Sequence, residues 1–484
     1  MRTILRIALA LELFAGAAHA FSLLGPYDTW MQATNGFRQP TDIGGPVNLG
    51  EEYRWNVPVL TYTFDQSFLD YFGAAGVAAA EQAIQIVNNL PPASQLNPTN
   101  YPSESAHVHF QAQAASLIDL KSKTLAALLE QLGLAQPTRH TFCVHDFAFD
   151  NGNPVAQIVQ RNLDPFNFSP TNSVNDTAYG YYFQATTNGE SISLTAEEYL
   201  IDPLASFGPA VADGVLGAGT FFTGLTRDDV GGLRYLLRTN NSNLEILLPG
   251  VHGVGTNAGA YVNQAIRRGV DKITLVRRDY DSLIGHFFAP YTNQFTDYYV
   301  SNNAVMKQQM ERVITEPDIL FTAGNGDQEN VRTPLVFRTG TSNWWNSATL
   351  PGLIGSGLIR PPISLAFSIP SELVITADWL PDGSAVTYRD SWGSFDDSTN
   401  APVAYPAGES QVGLTLNLQL KRDDVVVGGA SWQIPLAAQE SIVVQTSTNL
   451  VNWVSHLEFG AGSNVEWWHY VTRSQRYFRI VPNN

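Results

Sequence analysis

Pro58-Val-Leu-Thr-Tyr-Thr-Phe64 is a run of β-branched and aromatic residues, and its reading decides the fold of the first half of the chain. Such a run predicts a strand. Behind it, Gly73–Asn89 places Val77, Ala80, Ile84 and Val87 along one helical stripe, and Pro91 and Pro92 halt the helix. A strand followed by an amphipathic helix predicts mixed α+β organisation here.

Further along, His107–Gln111 reads as a short alternating strand. Leu117–Leu132 is the clearest helix, with Leu117, Leu120, Leu125, Leu128 and Leu132 near one face and Gly133 as its C′ residue. Thr195 with Glu198, and Thr226 with Asp229, have capping-box spacing, and the second pair opens a helix through Val230, Leu233 and Leu237. Asp164–Asn188, rich in Asn, Ser, Thr and Pro, reads as a long loop or irregular strands.

From about Leu244 the texture changes. One βαβ-like piece at Leu244–Asp279 and a short helix within Asn303–Ile314 are the last helical patterns, and Gly, Pro, Asn and Asp cut the rest into strands. Pro361–Pro362 reads as a linker, and Leu373–Ala377, Gly413–Lys421 and Ser441–Ser447 as strands. Eight of the ten tryptophans lie beyond position 340, which fits small β-sandwich cores that need large side chains. The expected architecture is multi-domain. A signal peptide (1–20) precedes an α+β N-terminal domain (21–243) and a β-rich middle region with one βαβ-like unit (244–360). A β-sandwich-like C-terminal region (361–484) includes a terminal module at 430–484.

At 484 residues the chain is too long for one ordinary core. With 44% hydrophobic and 15% charged residues it is globular rather than disordered. A formal net charge of -17 opposes binding to nucleic acid, and the densest basic groups, Arg267–Arg268 and Arg277–Arg278, stand among Asp271, Asp279 and Asp281. The single cysteine, Cys143, rules out an intramolecular disulfide.

The N-terminus has the order of a secretory signal: a basic start (Met1-Arg-Thr-Ile-Leu-Arg6), an apolar run (Ile7–Ala18) and a small-x-small site at Ala18-His19-Ala20. Cleavage is expected after Ala20, which places the mature protein in the periplasm, at the cell surface or outside the cell. No later segment has the length of apolar sequence that a transmembrane helix needs.

Gln445-Thr-Ser-Thr-Asn-Leu-Val-Asn-Trp453 and Arg476-Tyr-Phe-Arg-Ile480 resemble a small module at the ends of many exported bacterial proteins, notably from Verrucomicrobia and Planctomycetes. The resemblance covers about Ala430 to Asn484 and implies a β-rich accessory module on an exported protein, with no catalytic residues. In the first domain, Val59–Phe64 with the helix behind it resembles the opening of metzincin-type zinc proteases. Gly224-Leu-Thr-Arg-Asp-Asp-Val-Gly-Gly-Leu-Arg-Tyr235 is similar to the helix that closes matrixin-like domains. A metzincin binds zinc through His-Glu-x-x-His on a helix, and the chain contains no such run. The resemblance therefore implies a zinc-free relative.

Several constellations invite chemistry. His107 and His109, two apart on the expected strand, point to one face as a His-x-His metal pair would. His140 and His145, with Cys143 and Asp146, could complete a divalent-metal site. Gly253-Val-Gly-Thr-Asn-Ala258, set between a strand and an expected helix at Ala260–Arg268 with Asp279 beyond, satisfies the dinucleotide fingerprint. Two glycines in a turn need no ligand, however. No Gly-x-Ser-x-Gly elbow occurs, and the adjacent carboxylates Glu197–Glu198, Asp228–Asp229 and Asp396–Asp397 lack glycosidase spacing. Trp344–Trp345 and Trp467–Trp468 could offer a platform for sugar rings.

Two functions follow from these residues. One is an exported non-catalytic protein of the cell envelope or surface, without a cofactor, in a binding or structural role toward envelope components or glycans. The other is an exported metal-dependent hydrolase of degenerate metzincin type, its site drawn from His107, His109, His140 and His145.

Overall fold

A computed structural model describes residues 20–25, 49–50, 52–151, 153–187, 192–202, 210–281, 287–325, 361–369 and 391–406. It also describes strand segments at 336–338, 344–346, 357–359, 373–376, 385–388, 429–434, 442–447, 454–459, 465–470 and 477–482. The chain is mixed α/β, with many strands in several sheets and four α-helices among the described residues.

Strand β1 (Val59–Phe64) leads into α1 (Gln66–Asn88). Asp65 caps this helix by accepting the Phe68 N–H at 3.0 Å. The helix starts one segment earlier than periodicity predicts, because Gly73 takes φ 58° and joins two helical pieces across a kink. Next come β2 (Ala106–Val108), α2 (Phe110–Ala114), β3 (Leu117–Asp119) and α3 (Leu120–Gln131). Helix α4 (Arg227–Leu237) carries the expected capping box between Thr226 and Asp229. Strands β4 (Ser242–Ile246), β5 (Val251–Gly253), β6 (Gln264–Arg268), β7 (Thr274–Arg277), β8 (Tyr291–Ser301) and β9 (Ala304–Ile314) follow. After them come β10 (Ile319–Asn325), β11 (Val336–Arg338), β12 (Ile363–Ile369) and β13 (Ser391–Ser394).

The central sheet runs β7-β1-β10-β12-β11. Its first four strands are parallel and β11 is antiparallel at the edge. Its strands come from all three stretches into which the sequence divides: β1 from 21–243, β7, β10 and β11 from 244–360, and β12 from 361–484. Pro361–Pro362 leads straight into β12. Near β1, Phe68 stacks on Phe64 (4.9 Å) and on Phe72 (4.6 Å). Phe72 in turn meets Phe367 (5.9 Å), Trp392 (6.0 Å) and Tyr405 (5.2 Å), so residues beyond 361 complete the core of the first domain.

A second sheet, β4-β6-β8-β9-β5, is fully antiparallel. Its inner face is held by buried ions. Arg267 Nε donates to both carboxylate oxygens of Asp297 at 3.1 Å, and Gln308 Nε2 donates to Asp297 at 2.8 Å. Arg54 pairs with Glu245 and donates to the Arg267 carbonyl at 2.9 Å, which fastens this sheet to the segment before β1. Arg312 pairs with Asp318, whose Oδ2 accepts the Thr61 N–H of β1 at 2.8 Å.

Several expected helices are strands. Within Ala260–Arg268 the chain forms β6, which pairs with β4 and β8, and within Asn303–Ile314 it forms β9. Both stretches contain helix-forming residues, but alternate positions place Arg267, Gln308, Met310 and Arg312 in the buried face, and packing overrides propensity. Thr195 and Glu198 lie in a strand, Ile192–Leu200, rather than at a helix start. Asp164–Asn188 contains a regular strand, Thr177–Thr187, paired with it. Leu117–Asp119 is strand rather than the first turn of α3, because it pairs in parallel with β13. The strand expected at Gly413–Lys421 lies outside the described residues.

Candidate functional site

The histidine pair expected on one strand sits at a strand–helix junction. β2 ends at Val108, and His109 is the N-cap of α2, where its Nδ1 accepts the Ala112 N–H at 3.1 Å. A strand face therefore does not align His107 with His109. Both nonetheless border one exposed surface. His107 Nδ1 lies 2.7 Å from Asp397, and these side chains are 48% and 61% exposed. The His107 ring meets Phe221 at 5.8 Å, His109 meets Phe395 at 5.6 Å, and Phe221 and Phe395 meet each other at 5.7 Å.

The rim of this surface is charged. Lys121 stands 5.7 Å from the Phe221 ring centroid. Hydrogen bonds from the Ser398 hydroxyl and amide hold Asp396 below the usual carboxylate range, helped by Lys121 and His109 nearby. Phe110 is 78% exposed beside the pair. The patch joins acidic, basic and aromatic groups at an open surface.

The other candidates lie elsewhere. His140 ends a 3-10 turn, Thr138–His140, and is buried. His145 falls at a bulge in the strand Cys143–Asp150, and the side chains of Cys143, His145 and Asp146 lie outside the described residues. Among the described residues no three His, Cys, Asp or Glu side chains are grouped so as to hold a metal ion. The side chains of Trp344–Trp345 and Trp467–Trp468 also lie outside what is described.

The dinucleotide fingerprint is overturned. Gly255–Asn257 is a 3-10 turn, and the chain then enters β6, so no α-helix N-terminus stands behind the glycines to receive a pyrophosphate.

Asp228 and Asp229 anchor α4 and its surroundings. Asp228 accepts the amides of Ala20 (2.8 Å) and Asn175 (2.6 Å). Asp229 accepts those of Thr226 (2.8 Å), Ala212 (2.9 Å) and Val211 (3.1 Å). Asp213 accepts from the Thr138 amide (2.8 Å) and hydroxyl (2.6 Å) and the Ala210 amide (2.8 Å). Burial pushes the Asp213 carboxyl up to about 7 and raises Asp228 and Asp229 as well, against the pull of these donors. Through these bonds the three carboxylates tie loops to a helix end.

Sequence reasoning missed Lys121, Phe221, Phe395 and the pairing of Asp397 with His107. The two members of that pair are 290 positions apart, and no local pattern marks them.

No family model matches this chain, and neither a curated protein nor a solved structure is similar to it. Among the described residues no helix is long and apolar enough to cross a membrane.

Proposed function

We propose that the chain is an exported, non-catalytic protein of the cell envelope or surface, with a binding or structural role toward envelope components or glycans. Its first domain is a zinc-free relative of the metzincin scaffold, and its C-terminal strands form a β-sandwich-like accessory module.

The observation that carries this reading is the use made of the histidines. His109 caps a helix, His107 pairs with an exposed aspartate, and His140 is buried in a turn. The zinc geometry of a metzincin needs two imidazoles one helical turn apart, and none of α1 to α4 contains a histidine. These residues do not fit a metzincin zinc ion. The metzincin likeness itself is supported by β1 leading into α1, by the capped α4 and by the parallel sheet around β1. Export is supported by the basic start, apolar run and small-x-small site of Met1–Ala20. Cleavage after Ala20 would remove a buried residue whose amide Asp228 accepts at 2.8 Å, and leave Ser22–Leu23 paired with Leu134–Ala135.

Elemental analysis and intact mass of protein recovered from the producing cells test both halves. The expected result is a chain that begins at Phe21 and carries no stoichiometric zinc. One zinc per chain, lost in His107→Ala or His109→Ala, would favour the hydrolase; an intact Met1 on folded cytosolic protein would end the export reading.

A further inference from the structure

The outward face of β4-β6-β8-β9-β5 is arranged in cross-strand rungs. Gln294 donates to Glu311 at 2.8 Å, and Glu311 also lies 3.3 Å from His252. One rung along, Gln309 donates to Thr296 at 3.1 Å. Next, Tyr298 stands opposite Lys307, with Arg268 one residue beyond the Arg267–Tyr299 pair on the other side. Ile266, Val300 and Val305 form the last rung.

Tyr298 is 47% exposed, and Ile266 and Val305 are 45% and 46% exposed. Among the described residues neither Arg268 nor Lys307 has an ion-pair partner. On a chain of net charge -17, two free cations on either side of an exposed ring reverse the local sign.

The chemistry of this face selects among partners. Protein interfaces are depleted of lysine at their centres and place anchors in pockets, whereas here Lys307 lies mid-face and the surface is an open row. An exposed tyrosine ring beside the Thr296–Gln309 rung suits a sugar, whose C–H face packs on the ring. Arg268 and Lys307 add carboxylate recognition. Strands lie ~4.8 Å apart, so the two cations are separated by about two strand spacings and can serve different sugar units of one chain.

We propose that this face binds an anionic polysaccharide of uronic-acid units laid across the strands. One ring stacks on Tyr298, and neighbouring carboxylates meet Arg268 and Lys307. The inference rests on the non-catalytic binding reading and gives it a partner class.

Affinity electrophoresis of the purified mature protein through gels containing polygalacturonate, with neutral glucan gels as control, tests it. The expected result is retardation by polygalacturonate that fades at high salt. It should weaken about tenfold in the double variant Arg268→Glu/Lys307→Glu and several-fold in Tyr298→Ala, with thermal melting unchanged in both. Absence of retardation at low salt, equal retardation in the neutral glucan, or retardation untouched by these variants would overturn the assignment. So would salt-sensitive self-association, seen by light scattering and lost in the charge variants, because the face would then be an interface between copies. Release of new reducing ends from the polymer would sink the non-catalytic reading while leaving the face intact.

Discussion

Charged side chains gather in two kinds of place in this molecule, and the two are built differently. Arg54–Glu245, Arg267–Asp297 and Arg312–Asp318 are buried; the second links neighbouring strands of one sheet, the first fastens that sheet to the segment before β1, and the third ties it to the central sheet. His107–Asp397 and the Arg268, Tyr298 and Lys307 rung stand in solvent with few constraints. The first kind fixes the architecture, because a buried ion that loses its partner has no water to turn to. The second is free to meet something else. Burial beside a partner, rather than charge itself, separates the structural ions from the exposed ones.

The contrast can be broken most directly at Arg312. Arg312→Ala strands the Asp318 carboxylate beneath β1 and should cost about 3–5 kcal/mol in chemical denaturation; a loss below ~1 kcal/mol would show the pair to be idle. A comparable break comes from Gly133→Ala. Gly133 has φ +112°, and an added Cβ would stand 2.5 Å from the Tyr53 carbonyl oxygen. The expected cost exceeds ~1 kcal/mol, read from the same denaturation curves.

The buried carboxylates sharpen the contrast through pH. Burial holds the Asp213 carboxyl at about 7, well above an ordinary carboxylate, so its ionisation penalises the folded state once the pH exceeds the ordinary carboxylate range. This contribution to stability therefore rises as pH falls from about 7 toward 4. Melting temperatures taken across that window should show the rise, and Asp213→Asn should flatten it even while lowering the whole curve. A slope of unchanged size in the variant would assign the effect to other groups.

The smallest effects belong to the exposed pair. His109→Ala removes a helix cap and should cost about 1 kcal/mol. His107→Ala should cost less than ~1 kcal/mol, as surface pairs do. If the His107 change proved the larger, the His107–Asp397 contact would be structural after all.

The sequence made local features legible where one segment carried its own signal. Strand Val59–Phe64, the stripe of α1, the Thr226–Asp229 box and the positive φ of Gly133 all follow from residues within a few positions of each other. It hid whatever depended on distant partners. The helical composition of Ala304–Ile314 gives way to a strand because Gln308 and Arg312 find Asp297 and Asp318. Domain limits drawn from texture fall inside a sheet, since hydrophobic alternation marks a strand without naming its neighbour. The candidate surface was half visible: its histidines could be singled out, whereas Phe221, Phe395 and Asp397 arrive from elsewhere in the fold.

The Thr61–Asp318 bond, which holds β1 in place, spans 257 positions of chain. At ribosomal rates of roughly 5–20 residues per second, β1 waits on the order of ten seconds or more for that partner to be made. Such separations place the fold among the slow formers. The central sheet can therefore close around β1 only after most of the chain has been delivered.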